Sequence, residues 1–218
     1  NYPRQIIDKA QWTNTIPPMG IFAVIIFLCF FSSVLDARPI SYSGGSTLMA
    51  LTNNIKDSVY FHYSPTYKYS VGVEHLKHKV FNQHASYLRF TYLLNRKNSQ
   101  NSQRNLYFQS GVSLQRPSAH FFGIHGDWET RRWFTGFGYK EEIQVDRNYS
   151  EQYAQIGFAP YLGEYGDLHT WFMLKTKKNT LLNSWYTYPV LKFFKGDLLV
   201  EFGYHIDAKW DTHLMYRF

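Results

Sequence analysis

The chain has 218 residues, 44% hydrophobic, 19% aromatic and 18% charged, with a formal net charge of +7. The charge content lies below the roughly 25% of ordinary globular chains, and 18 Tyr, 18 Phe and 6 Trp argue against disorder. A single cysteine, Cys29, excludes a disulfide scaffold, and one short apolar run argues against a helical membrane protein.

That run comes first in chain order. Ile21 to Phe31 is uninterrupted apolar sequence, shorter than the about 20 residues a spanning helix needs. It has the length of the apolar region of a secretory signal peptide, with small Ser32 and Ser33 behind it and Ala37 as the cleavage position. Residues 19–37 are therefore expected to be the signal peptide, starting at Met19, with residues 1–18 as an upstream extension. Alternatively, Arg4 and Lys9 supply the basic region of one long leader. An uncleaved anchor helix is the competing reading. Cys29 follows bulky Leu28, which argues against a lipoprotein cysteine. Cleavage would remove two acids and two bases and leave the positive balance unchanged. No nucleic-acid motif accompanies that balance, so anionic lipid headgroups are the expected counterpart.

Residues 38–218 read as serial strands. Side chains on a strand alternate faces, and apolar residues fall on every second position. Val59, Phe61 and Tyr63 alternate with Ser58, Tyr60, His62 and Ser64. Tyr69, Val71 and Val73 follow the same pattern, then Leu88, Phe90, Tyr92 and Leu94, and later Leu198, Val200, Phe202 and Tyr204. The opposite positions are rich in Gly, Ser, Gln and charge. Twelve strands are expected, near 46–52, 57–64, 67–77, 85–96, 103–115, 118–129, 131–143, 150–162, 167–178, 183–194, 197–207 and 211–218. Dropping the first and merging one hairpin would give ten. Several segments approach the about 9–11 residues of a tilted membrane strand. Tyr63, Tyr69, Trp128, Trp133, Tyr139, Tyr161, Trp171, Trp185 and Trp210 sit near segment ends, where an aromatic girdle would lie. A soluble sandwich or a secreted soluble barrel would share the alternation but needs no girdle.

The last strand carries Leu214, Tyr216 and terminal Phe218 at alternate positions. This ending resembles the terminal strand of Gram-negative outer-membrane β-barrels, whose last residue is commonly Phe. The resemblance covers the remainder of the chain in pattern and the last five residues in motif. It implies an all-β fold: a closed antiparallel up-and-down transmembrane barrel in the outer membrane. It also implies export by signal peptide and an assembly signal at Leu214, Tyr216 and Phe218 read by the barrel-assembly machinery. Outer-membrane lipids and lipopolysaccharide would be the surrounding partners.

In such a barrel the polar face lines the lumen. Glu74, Arg89, Asp127, Glu129, Arg132, Lys140, Lys175, Lys192, Glu201, His205 and Arg217 are expected inside. Phe90, Trp133, Phe202 and Phe218 are expected outside, because a one-residue slip would exchange the two faces and put charged side chains into lipid, at roughly 2–4 kcal/mol for each Arg near mid-membrane. Mixed signs in a narrow interior pair with one another, and Tyr87, Tyr107, Tyr153, Tyr161, Tyr186 and Tyr188 would fill much of it. The expected function is non-enzymatic, either structural or a narrow, porin-like pore for small solutes. No cofactor is expected.

Enzymatic outer-membrane barrels, including phospholipases and lipid A acylases or deacylases, suggest an alternative. A lipid-modifying hydrolase could use His62 with Ser64, or His84 with Ser86, on one strand face. However, Pro65 follows Ser64 where the lipid A deacylase pattern has Asn, and no Gly-x-Ser-x-Gly is present. His75, His78 and His84 lie around one hairpin and offer a weak metal-site candidate. Otherwise they belong to a solvated loop. Lys175, Lys177 and Lys178 read as the rim of a loop near anionic lipid.

Overall fold

A computed structural model describes residues 40–144, 148–163, 166–181 and 183–218. The expected leader at 19–37, its cleavage position, the extension at 1–18 and Cys29 lie outside the described residues. The described chain forms twelve strands. They are β1 (Ser46–Thr52), β2 (Lys56–Thr66), β3 (Tyr69–His78), β4 (Gln83–Asn98), β5 (Ser102–Ser113), β6 (His120–Thr130), β7 (Trp133–Ile143), β8 (Asn148–Phe158), β9 (His169–Asn179), β10 (Trp185–Lys195), β11 (Leu198–His205) and β12 (Lys209–Arg217). Each pairs antiparallel with its chain neighbours, and β1 pairs with β12, so the sheet closes into a barrel. Closure removes the exposed edges that an open sheet would leave. In lipid it also satisfies every ladder hydrogen bond, since no water is present to do so.

The period-two pattern decides which wall each side chain joins. Along β2, Lys56, Ser58, Tyr60, His62 and Ser64 are buried inside, while Val59, Phe61 and Tyr63 stand outside about half exposed. The same alternation holds across the barrel. Phe90, Trp133, Phe202 and Phe218 are all on the outer wall and exposed. Glycines admit large neighbours in the tight ladder: a Cβ on Gly72 would lie 2.1 Å from the Phe61 carbonyl oxygen.

The strands run longer than the expected segments where the breaks were polar. β4 reaches Asn98 and β5 begins at Ser102, leaving a turn in place of the expected loop at Lys97–Arg104. Asparagine and serine there carry the ladder onward, because Ser99 and Ser102 close the turn through a side-chain contact of 2.8 Å and a backbone bond. By contrast, β8 stops at Phe158 and the connection runs to Leu168. Tyr161 falls in that connection and is exposed, so it does not face the lumen. Trp171, expected in the outer girdle, points inward and meets the Phe134 ring at 6.1 Å.

The residues before β1 also matter. Both chain ends of the barrel lie at one opening, where Ser46 and Phe218 exchange backbone hydrogen bonds of 2.7 and 3.0 Å. From there Ile40 reaches β4 and β5 and packs, buried, against Leu93 and Tyr107. The Ser41 amide donates to Ser64 Oγ at 3.0 Å and fixes the segment. This opening is called the near end below, and the other the far end.

Candidate functional site

The lumen is the candidate site. Its wall is a set of charges of both signs, delivered by the inward positions of nearly every strand. Glu74 on β3 is buried and binds Arg89 on β4 at 2.9 Å, while Ser58 donates to its other oxygen at 2.5 Å. Arg89 also donates to Gln109 at 2.7 Å and lies 4.1 Å over the Tyr60 ring. Lys140 on β7 binds Glu142 at 2.7 Å and lies 3.9 Å over Phe121. Lys177 binds Glu151 at 3.0 Å between β9 and β8. Lys175 binds Asp211 at 2.8 Å, and the Tyr188 hydroxyl donates to the same carboxylate at 2.5 Å. Lys192 on β10 and Glu201 on β11 are 3.4 Å apart. Asp127 accepts from Asn105 at 2.7 Å. Each charge is desolvated and needs a partner, because removing one member of such a pair costs about 3–5 kcal/mol.

Two further contacts cross the barrel. Lys56 on β2 approaches Glu142 on β7 at 3.8 Å. The His78 ring on β3 meets Tyr149 on β8 edge-on at 5.9 Å. Both pairs join nearly opposite strands in the closed order. The β1–β2 turn adds to this closure. The Asn53 side-chain oxygen accepts from the amides of Ile55 and Lys56, each at 2.9 Å, and Lys79 donates to the Asn53 carbonyl at 2.7 Å. Ile55 is thereby fully buried at the tip of a turn, folded over the opening. The far end is closed by side chains.

Below this closure runs an internal cavity of about 300 Å³, lined from Lys56 and Glu151 past Arg89, Tyr153 and Lys175 to Glu129 and Lys192. A second cavity of about 460 Å³ opens at the near end, between Asn98–Gln103, His169 and Phe194. Glu129, Lys192 and Leu199 line both. The two spaces therefore adjoin beside the Ile40 segment, which covers the other half of this opening.

Of the expected lumen residues, Glu74, Arg89, Asp127, Glu129, Lys140, Lys175, Lys192, Glu201, His205 and Arg217 occupy inward positions. Arg132 does not: it sits exposed in the turn between β6 and β7. The alternation of β7 runs one residue past the strand, which begins at Trp133. Lys175 and Lys177 belong to the strand interior of β9 and not to a loop rim, since β9 continues to Asn179. Lys178 is on the outer wall beside Trp185. Tyr87, Tyr107, Tyr153, Tyr186 and Tyr188 point inward, joined by Tyr60 and Tyr149. Lys56, Glu142, Glu151, Lys177 and Asp211 complete the charged lining. Their signal was parity with inward neighbours, such as Lys56 with Ser58 and Glu142 with Lys140.

His62 and Ser64 share the inner wall, both with no exposed surface, and Ser64 Oγ is engaged by the Ser41 amide. A membrane lipid has no approach to them. His75 and His84 stack on the outer wall, ring centres 5.6 Å apart, and His75 Nδ1 lies 3.0 Å from Ser86 Oγ. His78 is inside, on the other face of the same strand. The three imidazoles therefore do not converge, and among the described residues no group of three His, Cys, Asp or Glu is placed to hold a metal.

No protein-family model matches the chain, and no curated protein matches it in sequence. Solved structures do. The KdgM porin in complex with disordered oligogalacturonate is 12% identical, with a TM-score of 0.50 over 80% of this chain and 99% of that one. A second structure, of the KdgM porin, is 13% identical with a TM-score of 0.48 over the same shares. At such identity the likeness concerns the fold alone, here a closed twelve-strand β-barrel.

Proposed function

We propose that the chain is a non-enzymatic outer-membrane barrel that passes small solutes through a narrow lumen. The observation that supports this is the charge-lined internal cavity joined to the near opening through Glu129 and Lys192. Residues 19–37 direct export, and the strand ending in Leu214, Tyr216 and Phe218 is offered to the barrel-assembly machinery. The outer wall supports membrane insertion: Leu48, Phe61, Val73 and Leu88 form an exposed apolar row that water would penalise and lipid would not.

The similar porin was solved with an oligogalacturonate, a polyanion. Here the interior cations Arg89, Lys140, Lys175, Lys177 and Lys192 each sit beside a carboxylate. A wall neutralised in this way favours small solutes of low net charge and gives weak ion selectivity. Planar-bilayer conductance combined with a lipid-hydrolysis assay tests the reading. Small, discrete conductance steps without lipid breakdown are expected. Silence in the bilayer with loss of an acyl chain from lipid would replace the channel with a hydrolase. Location is tested separately by gel migration with and without boiling, where a folded barrel shifts. Recovery as a soluble periplasmic monomer would refute it.

A further inference from the structure

The outer wall carries a depression of about 480 Å³ over β1, β2 and β12 and their neighbours. Ala50, Thr52 and Thr212 give it a low floor, and Val59, Phe202 and Leu214 stand around it. Cross-strand register sorts the wall here into three rows. The first reads Tyr216, Leu48, Phe61, Val73 and Leu88, apolar but for the Tyr216 hydroxyl. The second reads Leu214, Ala50, Val59, His75 and Ser86. The third reads Thr212, Thr52, Asp57, Lys77 and His84. Four residues separate the first row from the third along a strand, about 13 Å at the usual rise. Over that distance the surface passes from hydrocarbon character to hydrogen-bonding and charge.

The charge in the third row is biased. Lys79 binds the only acid there, Asp57, at 2.7 Å. Lys77, His75 and His84 remain grouped at the top of the groove, with the two imidazoles stacked and His75 anchored on Ser86. Elsewhere at this end the outer wall carries Glu141, which accepts from Tyr139 at 3.0 Å, and on β9 a Lys178 set over the Trp185 ring, away from this groove. The grouping is therefore local to β3 and β4.

We infer that this groove is a binding site for a single lipid whose phosphate headgroup carries net negative charge. An acyl chain lies on the floor from Ala50 toward Leu48, and Lys77 holds the phosphate with the outward edges of His75 and His84. The inference rests on the membrane reading above.

The test is native mass spectrometry of the full chain, released from micelles doped with equal phosphatidylglycerol and phosphatidylcholine of identical acyl chains. One phosphatidylglycerol is expected to stay bound preferentially, by roughly fivefold for each basic side chain, the equivalent of about 1 kcal/mol near a lipid surface. The double variant Lys77→Gln, His84→Gln should bring the two lipids near parity. Ala50→Phe, which fills the floor, should expel both. Lys195→Gln, on the outer wall at the near end, should change nothing. Equal retention by the native chain would overturn the site. So would full displacement by inorganic phosphate, which would mark a free-ion site, or an equal loss in Lys195→Gln. Gel migration with and without boiling separates the failures. A folded, inserted barrel without lipid preference refutes the groove alone, whereas a chain that never inserts refutes the membrane reading and the groove with it.

Discussion

The two ends of the barrel are closed by different means. At the far end, side chains meet across the lumen: Lys56 with Glu142, His78 with Tyr149, and Ile55 folded over them. At the near end, backbone does the covering. Ile40 and Ser41 lie against β2, β4 and β5, and the other half stays open around Glu129, Lys192 and Phe194. A side-chain closure yields to rotamer changes, on the picosecond-to-nanosecond scale when exposed and slower when packed. A backbone segment held by a hydrogen bond and a packed Ile moves as a unit. On the channel reading proposed above, permeation is controlled at the far end, while the near end sets what reaches the lumen.

The largest expected effect breaks that far-end closure. Lys56→Ala combined with Tyr149→Ala removes both cross-lumen contacts, yet Glu142 keeps Lys140 at 2.7 Å, so the wall stays paired. Single-channel conductance should rise several-fold. An unchanged conductance would place the constriction elsewhere.

Next in size is a test of the wall that connects the ends. Glu74→Ala leaves Arg89 in place on the inner wall, its side chain 11% exposed, without its carboxylate. A stability loss of about 3–5 kcal/mol is expected in denaturant titration in detergent. Asp57→Ala, which breaks an exposed outer-wall pair with Lys79, should cost no more than about 1 kcal/mol. Similar losses for both would contradict the distinction between inner and outer walls.

Deleting Phe218 comes third. It removes both backbone bonds to Ser46 and the ring contacts with Phe61 and Tyr216. Those bonds are worth about 1 kcal/mol each, so a slower rise of the heat-shifted band during assembly is expected. Assembly at the native rate would deny the terminal residue a part in closure.

The smallest effect belongs to the near end. Lys192→Glu reverses one charge where the two cavities adjoin. The reversal potential in a salt gradient should move toward cations, less so at high ionic strength, where screening is stronger. A shift as large in molar salt as in dilute salt would mean the site is shielded from the bath.

Much of this molecule could be read from its residues, because face alternation is a local property. The runs at Val59–Ser64, Leu88–Leu94 and Leu198–Ile206 carry their own parity, and the strand count follows from their repetition. The misses fall where a strand stops. Arg132 and Tyr161 continue an alternation, but whether a ladder reaches them depends on the partner strand, which their own neighbourhood does not encode. Lys177 was the converse, a charged run that pairing kept inside β9. The cross-lumen contacts lie further from view. Lys56 meets Glu142 only because the stagger of the closed sheet brings β2 level with β7, a relation that no pair of neighbouring strands contains.

The seam between β1 and β12 differs from the other eleven pairings only in lacking a turn. Ser46 and Phe218 already face each other there. A short peptide joining them would make the molecule a continuous ring of hairpins. The ring could then be cut anew in the connection around Gly166, which is outside the ladder. The order in which the strands are synthesised would change while the neighbours of each strand would not. The barrel is in that sense indifferent to where its chain starts, and a circular permutant should reach the same lumen by a different sequence of folding events.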